Sequence, residues 1–292
     1  MLAARRTIVS ALVALLALAL AAGAPPVDAA VVKVSMTARH RTVPLMPGLR
    51  FAAWTFNRSI PGPVVRAREG DTIEITLRNA DRMHRHSLDF HASQVDPLRA
   101  MADVPPGKTR TFSFVARRPG VFLYHCGTSS VLQHVGQGMY GAIIIEPAGG
   151  RPPAQEIILV QSELYGRVRG RVLRSTLKDM LAMRPRYTAF NGSPFRYLRR
   201  PLQVRAGEPV RIYLVDAGPS MGSAFHVVGE IFDAVQPDGN PVSPREGVST
   251  WSVPAGAGAV FELTFDEPGT YTFLTHELGL AMKGAVGRIV AR

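Results

Sequence analysis

The chain of 292 residues contains one cysteine, and only four of its 34 basic residues are lysines. A single thiol excludes an intrachain disulfide, so Cys126 is either a buried free thiol or a metal ligand. Helical periodicity is nearly absent: the one segment that predicts a helix is residues 175–183, with Ser175 as N-cap and Pro185 beyond its end. No helix-turn-helix pattern and no interleaving of aromatic with basic residues is present, which argues against a nucleic-acid partner. The net charge of +12 therefore reads as a basic solvated surface, with its densest run at Arg167, Arg169, Arg171 and Arg174. Such a field also favours a small anionic substrate. There is one long apolar run, from Ile8 to about Ala22, preceded by Arg5 and Arg6 and followed by small residues at Val27 and Ala29. It predicts a secretory signal peptide over residues 1–29, and hence an exported, periplasmic or secreted protein. Ser10 and the Pro25–Pro26 pair argue against a retained anchor, while the arginine pair admits twin-arginine export. Removing the segment's two arginines and one aspartate leaves a charge of +11.

The remaining chain is short alternating segments broken by Gly and Pro, the pattern of an all-β protein built from sandwiches or barrels. Residues 72–77, Thr-Ile-Glu-Ile-Thr-Leu, alternate cleanly, and residues 111–115, 121–125 and 142–146 read as further strands. The chain also repeats in order. Phe56-Asn57 before Gly70-Asp71 recurs as Phe190-Asn191 before Gly207-Glu208; Phe90-His91 recurs as Phe225-His226; Pro119-Gly120 before His125 recurs as Pro268-Gly269 before His276. The expectation is two copies of one β domain, over residues 30–147 and 156–292, joined by a Gly/Pro-rich linker at 148–155.

Around the cysteine stand Tyr124-His125-Cys126-Gly127, then His134, then Met139, with His86-Ser87-Leu88-Asp89-Phe90-His91 upstream. Two imidazoles, one thiolate and a thioether are the ligands of a blue-copper electron-transfer site. In a strand, neighbouring residues point to opposite faces, so His125 and Cys126 diverge, as do His86 and His91 if their segment is extended. The inward set is His86, Cys126, His134 and Met139; the outward set is His91 and His125. Two metal sites then share one peptide link. The repeat places His276 in the equivalent strand of the second copy, and three His with an open position suit an ion that binds a small ligand. Zinc accepts such ligands too, but copper binds more tightly and gives the link to a redox centre a purpose.

These motifs, over residues 45–292, resemble the copper-containing nitrite reductases, within the two-domain multicopper oxidase and cupredoxin superfamily. The resemblance implies two tandem cupredoxin-like Greek-key domains with two coppers per chain. It assigns type 1 copper to His86, Cys126, His134 and Met139, and type 2 copper to His91, His125 and His276. It also implies a homotrimer in which His276 reaches the site from a neighbouring chain. Asp89 and His226 become the proton-delivering pair for reduction of nitrite to nitric oxide and water. The implied electron donor is a small redox protein, a cupredoxin or a c-type cytochrome. A laccase-like oxidase is the rival enzyme, but its trinuclear cluster with a type 1 site calls for more histidines than the eight present, and Gly127 stands where such an enzyme carries His. A non-catalytic electron carrier or copper-binding protein is the alternative from another class. Seven residues separate Cys126 from His134, one fewer than usual for the resemblance and without its Pro-rich segment, so donor and potential differ accordingly. His84 reads as a surface residue.

Overall fold

The computed structural model describes residues 29–292, so the expected leader lies outside them but for its last residue. No helix among the described residues is long and apolar enough to cross a membrane. The chain folds as two β-sandwiches. In the first, a six-stranded sheet and a four-stranded sheet face each other; in the second, two five-stranded sheets do.

The first sandwich opens with β1 (Val31–Met46), which pairs antiparallel with β2 (Leu49–Phe56) and parallel with β4 (Thr72–Asn79). β6 (Thr109–Val115) completes that side of the sheet. The facing sheet holds β3 (Val65–Arg68), β8 (Tyr140–Glu146), β7 (Gly120–His125) and the two-residue β5 (Asp89–Phe90). In the second sandwich, β9 (Gln155–Leu164) runs parallel to β14 (Pro209–Asp216) as β1 does to β4. β18 (Gly258–Thr264) pairs with β14 on its other side. The opposite sheet contains β15 (Ser223–Val227), β19 (Gly269–Thr275) and β20 (Val286–Ala291).

The repeated Phe-Asn pair does the same work in both copies. Asn57 and Asn191 sit at φ 50° and 52°, a left-handed conformation that Asn tolerates. Each side chain then pins the domain's first strand: Asn57 bonds Thr37 N and Ser35 O, and Asn191 bonds Val160 N and Ile158 O.

Alternation along β7 decides where the functional residues go. Phe122 and Tyr124 pack into the core of the first sandwich, with Cys126 just past the strand buried in the same cluster. Val121 and Leu123 point the other way, against Val160, Tyr213, Val215 and Val260 of the second sandwich. Both faces of β7 and β8 are therefore buried, which explains their near-continuous apolar sequence. The contact is close: a Cβ on Gly258 would lie 2.2 Å from the carbonyl oxygen of Val121. Burial at this level on both sides binds the two sandwiches through an apolar seam rather than a wet interface.

Two expectations need correction. The helix expected at residues 175–183 is Leu177–Leu181, and its cap is Thr176, not Ser175. Thr176 wins because Asp179 lies three residues on, giving a reciprocal cap in which Asp179 N donates to Thr176 Oγ1 and Thr176 Oγ1 donates to Asp179 Oδ2. Among the described residues four other short helices went unforeseen, since four to six residues carry no periodicity. The Arg-rich stretch is a hairpin, Arg167–Arg169 with Val172–Arg174, and Val172–Arg174 runs parallel to β2. A segment expected within the second copy thus extends a sheet of the first.

Candidate metal centres

His86, Cys126 and His134 converge in the first sandwich. His86 is fixed by a bridge between its backbone and Val104, and His134 by the short helix Val131–Gly136 that closes the loop after Cys126. Cys126 Sγ lies 3.2 Å from His134 Nδ1 and 3.9 Å from His86 Nδ1, and the two Nδ1 atoms are 3.3 Å apart. Cys126 N donates to Met139 O and Met139 N to His134 O, bringing the buried Met139 beside the group. The thiol also accepts from Ser87 N at 3.4 Å.

The outer atoms settle which ring nitrogen faces the thiol. His86 Nε2 is 3.0 Å from Asp81 Oδ2. Although burial opposes ionisation, hydrogen bonds from Met83 N and from His86 hold Asp81 down at about 2. An ionised carboxylate requires a proton on Nε2, so His86 Nδ1 carries a lone pair aimed at Cys126 and His134. Burial lowers His86 and takes His134 down to about 4, while it pushes the Cys126 thiol up. Neutral imidazoles and a thiol whose proton a metal displaces make a soft pocket suited to copper.

On the far side of the same peptide, His125 meets different partners. Its Nε2 is 3.1 Å from His91 Nε2 and 3.8 Å from Asp89 Oδ2. His125 Nδ1 donates to Cys126 O at 3.0 Å, and His91 Nδ1 donates to Gly256 O at 2.9 Å. With both Nδ1 atoms protonated, two Nε2 lone pairs face one another with no hydrogen between them. That arrangement is satisfied by a cation and by little else. Asp89 reaches the pair because β5 aligns it opposite His125 on β7.

His276 and His226 come together elsewhere, with ring centroids 5.8 Å apart at the edge of the second sandwich. His226 Nδ1 donates to Ser249 O, which leaves its Nε2 free. Among the described residues of one chain, the ligand atoms of Asp89, His91 and His125 form one group and His276 is not in it. His276 is exposed. The outward pair His91 and His125 is thus brought together, while His276, the third type 2 ligand that the resemblance implies, stands elsewhere on a single chain.

Sequence reasoning missed Asp81, the shared anchor of His86. It also misread His84: the residue is half-buried at 3.7 Å from Asp81 rather than a free surface side chain. Its nearness to His86 in His84-Arg85-His86 was the available signal.

The chain is similar to known proteins over most of its length. Multicopper oxidase family profiles match residues 37–150 and 172–292. The chain is 38% identical over 266 residues to a copper-containing nitrite reductase of Neisseria meningitidis serogroup A, covering 88% of this chain and 69% of that protein. The structure of a copper nitrite reductase from Nitrosomonas europaea superposes with a TM-score of 0.84 at 35% identity, covering 90% and 94% of the two chains. A multicopper oxidase superposes with a TM-score of 0.80 at 30% identity, covering 90% of this chain and 89% of the other.

Proposed function

The chain belongs to the copper-containing nitrite reductases, two-domain members of the multicopper oxidases, and we propose from that premise how its residues divide the reduction of nitrite to nitric oxide. His86, Cys126, His134 and Met139 hold a type 1 copper. His91 and His125 hold a type 2 copper together with His276 of a neighbouring copy, in a homotrimer. When bound, the two ions supply one-electron transfer and a Lewis-acidic position for a small anion.

The observation that carries this reading is the adjacency of His125 and Cys126, whose side chains enter two separate ligand clusters across one peptide bond. His125 Nδ1 also donates to Cys126 O, so the two side chains are joined by a covalent and a hydrogen-bonded route. The separation of His276 from His91 and His125 supports the trimer: among the described residues of one chain no third imidazole joins that pair, and His276 is exposed at another place.

Nitrite, one electron and two protons yield nitric oxide and water. Asp89, half-exposed beside His125, and His226, with Nδ1 tied to Ser249 O and Nε2 free, hold and pass those protons. Gly127 leaves no side chain above Asp89; a Cβ there would be 3.6 Å from Asp89 Cβ. Export through the leader at residues 1–29 and electron delivery by a small redox protein at the loop between Cys126 and His134 complete the proposal.

The test is anaerobic turnover of copper-loaded protein with nitrite and a reduced donor. Nitric oxide release, with two coppers per chain giving one blue and one non-blue paramagnetic signal, is the expected result. One copper per chain, or oxygen-dependent oxidation of phenols without nitric oxide, overturns it.

A further inference from the structure

His40, Asp81 and His84 make a second use of the carboxylate that anchors His86. His40 Nε2 lies 2.9 Å from Asp81 Oδ2, and His84 Nδ1 lies 3.7 Å from the same oxygen. One ligand atom from each of the three residues falls within 4.8 Å of the others. His84 Nδ1 is buried and has no hydrogen-bond partner, an arrangement that costs free energy unless something accepts its lone pair or proton. At 3.7 Å from Asp81 it is too far to hydrogen-bond.

The three residues are held in place rather than left to fluctuate. His40 stacks on Trp54 with ring centroids 4.7 Å apart and planes 14° apart, and His84 packs on the same indole at 4.5 Å. Asn79 Nδ2 holds His84 O at 2.8 Å, and Asp81 Oδ1 accepts from Met83 N at 2.8 Å. His40 faces a cleft of about 630 Å³ that Trp54, Gln137, Arg41 and Arg174 also line, so an ion can enter and keep water or an anion as a further ligand.

We propose that His40, Asp81 and His84 form a third metal site, which takes a divalent transition-metal ion of the Zn2+ or Cu2+ class and acts on the type 1 centre through Asp81. Two imidazole nitrogens and one carboxylate oxygen with open positions suit such an ion, and not Mg2+ or Ca2+, which prefer all-oxygen shells. The coupling follows from shared atoms. Asp81 Oδ2 serves His86 Nε2 at 3.0 Å and His40 Nε2 at 2.9 Å, so a cation on that carboxylate draws charge away from the His86 ring. A less basic His86 stabilises the oxidised type 1 ion less, and its reduction potential rises. The binding of the ion stands on this cluster alone; the coupling rests on the reading of His86 as a type 1 ligand.

Protein loaded with two equivalents of copper per chain and freed of excess copper, then titrated with Zn2+ and followed by calorimetry, metal analysis and the blue absorption together, tests both parts. Expected are one Zn2+ per chain with no loss of copper, an upward shift of the type 1 potential, and binding weakened about tenfold or more in His84→Ala and in His40→Ala. Retained blue absorption in those variants shows that they are folded. No additional Zn2+, undiminished affinity in the double variant, or zinc gained only as copper is lost overturns the site. Zinc bound with an unmoved potential overturns the coupling. Failure of the copper reading is separately visible, because the wild-type protein then shows no blue absorption before any zinc is added.

Discussion

The two sandwiches share a strand plan but spend their interiors differently. In the first, the core around Phe90, Phe114 and Tyr124 stops at one end to admit Cys126, His86, His134 and Met139. In the second, Phe190, Phe225, Phe232, Phe261, Phe265 and Phe273 pack together, and the position after the repeat's His276 is the exposed Glu277. Both copies keep an aromatic core, but only the first places a buried thiol and two buried imidazoles at its end, while the second has an exposed carboxylate at the position equivalent to the thiol. The difference teaches that both halves share the scaffold while only one holds a buried cluster of metal-ligating side chains in its interior. In the proposed function the second copy contributes from its surface instead, through His226 and His276.

The largest effect that probes this division is Cys126→Ala, which is expected to abolish the blue absorption and donor-driven turnover while leaving non-blue copper bound. His276→Ala is its mirror, removing the non-blue copper and sparing the blue one. Metal analysis with absorption and paramagnetic spectra checks both, and type 2 occupancy that survives His276→Ala contradicts the ligand assignment. Next comes Phe261→Ala, expected to cost about 3–5 kcal/mol in denaturant unfolding. It leaves the blue absorption per folded molecule unchanged if the first copy's pocket is independent of the second copy's core.

The paired asparagines sharpen the comparison at smaller scale. Asn191→Ala, at a half-buried side chain, is expected to cost about 1–2 kcal/mol, and Asn57→Ala, at an exposed one, about 0.5–1 kcal/mol. Equal losses would mean that exposure does not weaken the shared motif.

The smallest effect concerns Asp216, which is fully buried and raised well above the usual carboxylate range by that burial. The folded state then holds its proton more tightly than the unfolded state. Stability from this group is full below the unfolded value and is lost as pH rises through the folded one. Asp216→Asn should match the wild type at low pH and gain on it as pH rises, with thermal melts across pH as the measurement. A pH-independent difference would contradict the buried neutral carboxyl.

Much of this was legible before folding because it rests on local rules. Alternation placed His125 and Cys126 on opposite faces, and the structure puts them in separate clusters. The ordered repeat paired Phe56-Asn57 with Phe190-Asn191, and both asparagines take the same left-handed conformation. The misses have a common origin. The Thr176 cap depends on a side-chain choice between adjacent hydroxyls, and the helix carrying His134 is too short to show a period. Asp81 is five residues from His86 in a turn, where only the folded path shows which ring it anchors.

Residue order by itself determined the two-copy β architecture, the single thiolate and the divergence of its neighbour, since these follow from pleat geometry and from which residue types are present. Tertiary structure decided which nitrogen His91 and His226 present, because that depends on the Gly256 and Ser249 carbonyls that other segments bring to the other nitrogen. It also decided that His40 and His84 pack on one indole beside Asp81, and that His276 stands apart from His91 and His125. Those are facts about chain segments far apart in sequence, and no local pattern encodes them.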